Sequence, residues 1–149
     1  MVGSLSQAQV EHFRREGYAF PFDAISSEEA SACVSKLDSY DEILGEECQK
    51  QLKIKAHVAA PWIIELARNP NILNAVESII GPNILLFGAS MFSKRPRDSR
   101  FVSWHQDAAY YGLRSARGSH VLGRLDGCGH GERMHARHAA LTQGTRCGA

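Results

Sequence analysis

The segment "FVSWHQDAAYYGL" contains the side chains best suited to bind a metal ion: His105 and Asp107, separated by Gln106. Its β-branched and aromatic residues predict a strand. Because side chains alternate between the two faces of a strand, His105 and Asp107 would point to the same face, as two ligands of one ion require. With a second histidine they would form the facial triad of non-heme Fe(II) oxygenases, which leaves positions open for a co-substrate and O2. Alone, the pattern also fits a surface histidine and aspartate on an edge strand.

Capping patterns predict two helices near the start of the chain. Ser6 and Ser26 are each followed three residues later by Gln or Glu, which is the signature of a capping box. Gly17 is expected to end the first helix. Between the two helices, "YAFPF" predicts a short edge strand, because its proline cannot donate to a sheet ladder.

Two short amphipathic helices and a strand are predicted next. The first of these helices begins at Pro61, and the second follows Asn69 and Pro70 and ends at Gly81. The apolar run "ILLFGASMF" then predicts a buried strand. A charged loop, "SKRPRDSR", leads to the strand that carries His105. Helices followed by strands predict an α+β fold.

Residues 4–113 closely resemble the N-terminal part of the phytanoyl-CoA dioxygenase family of Fe(II)/2-oxoglutarate-dependent oxygenases. The resemblance rests on "LSQAQVEHFRREGY", on the region from "KAH" to "FSKRP", and most specifically on "WHQD" followed by aromatic residues. It implies N-terminal helices packed outside a double-stranded β-helix of the jelly-roll or cupin type, which is expected to be incomplete in this chain. It also implies Fe(II) as the cofactor, 2-oxoglutarate and O2 as co-substrates, and hydroxylation of a small organic substrate.

The resemblance also implies roles for single residues. His105 and Asp107 would bind Fe(II), and Gln106 would lie close to 2-oxoglutarate. The carboxylate of Asp107 favours hydroxylation, because related halogenating enzymes have a small residue at that position. Lys55 and His57 match a recurring "KAH" motif of the family, so Lys55 is a candidate to contact substrate or 2-oxoglutarate. A solvated charge pair is the alternative for this motif.

The sequence changes character after residue 113. From Arg114 to Ala149 it has no Phe, Tyr, Trp or Lys, but six Arg, four His and seven Gly. Such a segment buries too little apolar surface to offset its ordering entropy, so an irregular or disordered tail is expected. The domain prediction is therefore 1–113 for the dioxygenase-like part and 114–149 for the tail. A zinc-binding tail is an alternative, because four nitrogen and sulfur ligands lie close together in sequence: Cys128, His130, His135 and His138.

A displaced reading frame accounts for the tail. The family's downstream motifs, its distal iron-binding histidine and its 2-oxoglutarate arginine are all absent from residues 114–149. In a frame moved by one nucleotide, Met134 and His135 must encode cysteine, and the residues around them permit "ENGC". The same frame permits "WVALTDA" and a later "SH", in the family order, although the glycine of the family's "PGSH" is not reachable from Ala140 and Leu141. We therefore expect this chain to be truncated or frameshifted and inactive; a non-catalytic remnant that acts as a binding module is the alternative.

Composition and charge bear on the partners and the location that are expected for the chain. The chain has 149 residues and a formal net charge of +1, which gives no overall field to attract nucleic acid or an anionic membrane. No apolar run reaches the roughly 18 residues of a membrane span, and the N-terminus is polar. The chain has four cysteines, none of them in CxxC spacing: Cys33, Cys48, Cys128 and Cys147. They are expected to be free thiols, as in a reducing compartment, and a cytoplasmic location is expected for the chain.

Overall fold

The computed structural model describes residues 4–92, 119–122 and 139–143. These parts of the chain are mostly helical, as the sequence predicts for its first half. In chain order the elements are α1 (Gln7–Glu16), β1 (Tyr18–Phe22), α2 (Ser27–Leu44), α3 (Glu46–Leu52), α4 (Ala56–Ala59), α5 (Trp62–Ala67), α6 (Pro70–Ile80), β2 (Ser119–Leu122) and β3 (Ala139–Gln143).

Helix α1 begins and ends where its local signals predict. The hydroxyl of Ser6 accepts the Gln9 backbone N–H at 3.3 Å, and the Gln9 side chain accepts the Ser6 N–H at 2.9 Å. These reciprocal bonds satisfy two donors that the helix leaves unpaired. At the other end Gly17 adopts a left-handed conformation, with φ 84°, and its N–H bonds to the carbonyl of Phe13. The predicted start and end of this helix are confirmed.

Helix α2 has the second capping box. The Glu29 N–H donates to the Ser26 hydroxyl at 3.1 Å, and the Ser26 N–H donates to the Glu29 carboxylate at 2.7 Å. The helix buries Cys33 on its inner face. Its exposed serines behave differently from Ser26, because the hydroxyl of Ser31, for example, donates to the carbonyl of Ser27 at 2.9 Å within the helix.

The later helices are also confirmed. Pro61 immediately precedes α5. The side chain of Asn69 accepts the N–H of Asn71 and so caps α6, while Gly81 stands at the C-terminal cap of the same helix. Proline at the first position and glycine after the last follow the usual asymmetry of helix ends.

The three strands form an antiparallel sheet in the order β1-β3-β2. β1 lies at an edge, as its proline predicts. Two residues of β1 lie between Ala19, opposite Leu141, and Phe22, opposite Ala139, whereas β3 has one, so β1 carries a bulge there. Because β2 and β3 belong to the segment after residue 113, the prediction of an irregular tail is wrong for these nine residues. Their backbones find ladder partners despite the poor apolar content, since main-chain hydrogen bonds do not depend on side-chain type.

Two apolar clusters form the core. The first joins α1, β1 and α6 through its buried members Leu5, Val10, Phe13, Ala19, Ala75 and Val76. The second joins the short helices α3, α4 and α5 through Cys48, Leu52, Ala56, Ala60 and Ile63. Fully buried alanines in each cluster allow close approach of the backbones.

The run "ILLFGASMF" is not the buried strand that its composition predicts. Residues 84–92 contain no regular secondary structure. Leu85 is 88% exposed and Phe92 is 72% exposed. A continuous apolar run indicates that a segment suits burial, but it does not supply the neighbouring strands that would bury it.

The double-stranded β-helix stays a prediction. Within 4–92, 119–122 and 139–143 the sheet has three strands and does not close into a jelly roll. In the same ranges, no helix is long and apolar enough to cross a membrane.

A comparison of the N-cap serine with a serine inside α2 tests the cap. Ser26→Ala removes the acceptor for the Glu29 N–H, so we expect the free energy of unfolding to fall by about 1 kcal/mol. Ser31→Ala removes only a hydroxyl that bonds back to its own helix, so a change below about 0.5 kcal/mol is expected. Urea denaturation followed by circular dichroism measures both variants, and equal losses would contradict the capping assignment.

Candidate functional site

One of the four predicted site residues lies in the part of the chain that the structure describes. Lys55 is the N-terminal cap of α4. His105, Gln106 and Asp107 lie outside the described residues. The candidate zinc ligands of the tail lie outside them as well: Cys128, His130, His135 and His138.

Lys55 has an unusual backbone conformation. Its φ is 53° and its ψ is 42°, in the left-handed region. Among the described residues it is the one non-glycine with a positive φ. For an L-residue this region costs about 1–2 kcal/mol, so it persists only where the surroundings enforce it. The side chain of Lys55 is exposed.

Two backbone hydrogen bonds enforce that conformation. The N–H of Ala56 donates to the carbonyl of Ala89 at 2.8 Å, and the N–H of Met91 donates to the carbonyl of Leu52 at 2.8 Å. Residues 52–56 and 89–91 therefore run antiparallel, with Lys55 inside the bonded stretch. Ala56 is fully buried, which fixes the position of its neighbour Lys55. The "KAH" turn is thus attached to the segment that continues, in sequence, toward His105.

His57 and Trp62 each bury a polar atom that lacks a hydrogen-bond partner. These atoms are Nδ1 of His57 and Nε1 of Trp62. A buried donor or acceptor without a partner costs about 1–3 kcal/mol, and such atoms are rare enough in folded proteins to require an explanation. The "KAH" motif marks His57 in the sequence, whereas no motif marks Trp62.

Helix α2 packs over the same region. The ammonium of Lys36 lies 5.8 Å from the centre of the Trp62 ring, within the range of a cation–π interaction. The hydroxyl of Tyr40 donates to the carbonyl of Ala59 at 3.4 Å. These contacts hold α4 and the start of α5 against α2. The turn at Lys55, which directly precedes α4, is therefore held through α4 by α2 and through its own flanking bonds by residues 89–91.

Other groups in the described ranges are less suited to chemistry. Burial raises the pKa of the Cys33 thiol and that of the Cys48 thiol, which disfavours the nucleophilic thiolate. Both are free cysteines, as expected from their spacing, while Cys128 and Cys147 lie outside the described residues. No three His, Cys, Asp or Glu side chains in residues 4–92, 119–122 and 139–143 are grouped so that they could hold a metal ion.

No protein-family model, curated protein or solved structure matches the chain. The functional assignment therefore depends on the residues themselves. These are the "WHQD" segment of the sequence and the Lys55 turn of the structure.

Two exposed lysines test whether the Lys55 turn is strained. Lys53 has φ −73°, whereas Lys55 has φ 53°. Lys53→Gly is expected to lower the free energy of unfolding by about 0.5–1 kcal/mol, the usual cost of glycine flexibility. Lys55→Gly is expected to leave it unchanged or raise it by up to about 1 kcal/mol, because glycine adopts positive φ without penalty. Chemical denaturation compares the two variants, and an equal loss for both would show that Lys55 is not strained.

Proposed function

We propose that this chain derives from an Fe(II)/2-oxoglutarate-dependent dioxygenase that hydroxylates a small organic substrate, and that it is inactive in its present reading frame. The observation that carries the proposal is the pair His105 and Asp107 at strand spacing within "WHQD". An imidazole and a carboxylate on one strand face are two of the three ligands of a facial triad.

The residues of this chain would have the following roles. His105 and Asp107 would hold Fe(II), and Gln106 would lie beside 2-oxoglutarate. When bound, the metal and 2-oxoglutarate supply the activation of O2 that hydroxylation needs. The ammonium of Lys55 would attract a carboxylate as a compact positive charge, without the two-point geometry of an arginine.

The Lys55 turn supports this assignment of Lys55. Strained backbone conformations cluster at ligand-binding positions, where the surrounding structure holds them in place. At Lys55 two hydrogen bonds and a buried neighbour hold the strained residue, while its charged side chain stays exposed. A lysine held in this way has a fixed backbone position, from which its exposed side chain can reach an anionic ligand.

The expected inactivity follows from the residues that the site lacks. The recognised third ligand and the arginine for 2-oxoglutarate have no counterpart in residues 114–149 as translated. The arginines that are present do not replace a bidentate contact, since the fork of an Arg–carboxylate pair requires a defined position. Both residues would have to come from a double-stranded β-helix that is read in the displaced frame.

One structural observation bears against the displaced frame. β3 pairs with β1, and Val121 of β2 packs against the first core cluster, which is the behaviour of a tail that belongs to the fold. In the described part of the tail, this pairing involves the nine residues of β2 and β3. The sequence of the gene decides between the two origins.

Resequencing the coding DNA and transcript from codon 105 to beyond codon 149 comes first. If one base restores "WVALTDA" and "ENGC", both chains are produced and assayed for succinate formation that requires Fe(II) and 2-oxoglutarate. Turnover is expected for the restored chain and not for the present one. His105→Ala and Asp107→Ala should each abolish turnover in the restored chain, because each removes a ligand of the metal.

His12→Gln provides the control for these substitutions. His12 contacts the ring of Tyr18 edge-on and has no proposed role in binding metal. Its replacement should leave turnover in the restored chain unchanged. An open frame without the family motifs, or a restored chain that never forms succinate, would contradict the dioxygenase proposal and leave the non-catalytic binding module as the better explanation.

A further inference from the structure

Residues 57–62, here called the latch, connect the Lys55 turn to α5 beside α2. The latch contains α4 from His57 onward and ends at Trp62, the first residue of α5. Its contacts with α2 include the cation–π contact at Trp62 and the hydrogen bond from the Tyr40 hydroxyl to the carbonyl of Ala59. At 3.4 Å this hydrogen bond is long for a hydroxyl donor, so it holds the latch weakly.

The packed latch contains two polar atoms that nothing satisfies. Nδ1 of His57 and Nε1 of Trp62 are buried without a hydrogen-bond partner. The indole N–H of Trp62 can only donate, so no change of tautomer removes the problem there. Because burial also keeps water from both atoms, the packed state carries two desolvation penalties that an open state would not.

Little apolar burial offsets these penalties within the latch. Among its six residues, all of which the structure describes, Ala60 is the one that is fully buried, and an alanine side chain removes little apolar area from water. Val58 is 72% exposed. Trp62 packs against the second core cluster but is only partly buried.

Both ends of the latch are firmly attached. On one side Ala56 is fully buried, and its N–H donates to the carbonyl of Ala89 at 2.8 Å. On the other side Ile63 is 3% exposed and belongs to the second core cluster. An opening of the latch would therefore stop at these two residues and leave the Lys55 turn in place.

We propose that the latch opens locally while α2, α3 and the Lys55 turn stay folded. Regions with few buried apolar contacts open at a lower free energy than the whole protein unfolds, and the two unsatisfied atoms favour the opening further. The packed state hides the polar atoms of His57 and Trp62, and the open state presents them to solvent close in sequence to the exposed Lys55. The proposal is independent of the proposed function, since it requires neither metal nor turnover.

Hydrogen exchange of the full wild-type chain, followed by NMR, tests the proposal without a variant. The amides of Val58 and Ala60 report on the latch, because they bond to the carbonyls of Lys55 and Ala56. They should be at least about tenfold less protected than the amides of Ala56 and Met91, which bond across to the other segment. The indole N–H of Trp62 should exchange in step with Ala60. Equal protection of latch and anchors, or an indole N–H as protected as Met91, would overturn the proposal.

Two substitutions of His57 separate the unsatisfied atom from other effects. Phenylalanine keeps a ring but no nitrogen, whereas asparagine keeps a polar atom near the position of Nδ1, and both match histidine in helix propensity. His57→Phe should slow exchange at Val58 and Ala60 about tenfold, and His57→Asn should leave it within about threefold. Faster exchange in His57→Phe, or equal slowing in both variants, would contradict a penalty at Nδ1 and overturn the proposal.

Tyr40→Phe gives the opposite test, because it removes the hydroxyl that holds Ala59 and keeps the ring. Exchange at Ala60 should become at least about twofold faster, with no change at Met91. Unchanged or slower exchange at Ala60 would count against the latch. Should His57→Phe remove the protection of Met91 as well, the whole cluster has changed, and the Tyr40→Phe and wild-type measurements decide.

Discussion

The described fold depends on the pair of backbone hydrogen bonds that joins residues 52–56 to residues 89–91. Through these bonds the short helices α3, α4 and α5 share one cluster with residues 89–91, which lie more than thirty residues after the bonded residues Leu52 and Ala56. The bonds also determine the local conformation of Lys55, which lies between the two bonded positions and has a positive φ although it is not a glycine. This pair of bonds therefore closes the second core, orients the "KAH" turn and attaches residues 89–91 to it.

The elements with local causes could be predicted from the sequence. Ser6, Ser26 and Asn69 cap helices because their side chains reach backbone donors two or three residues away, and Gly17 ends a helix through its own positive φ. The edge position of β1 follows from Pro21, which cannot donate a ladder bond. Each of these outcomes depends on a few neighbouring residues, so a single sequence contains the information.

Features that depend on residues far away in the sequence could not be predicted. The run at residues 84–92 suits a buried strand, but pairing partners are a property of the whole chain, and the structure leaves Leu85 exposed. No local pattern signals that a lysine takes positive φ, since the conformation of Lys55 is set by Ala89 and Met91. The predicted metal site has the same limit: the predicted strand spacing relates His105 to Asp107, whereas a third ligand would have to come from a distant part of the sequence, which no local pattern identifies.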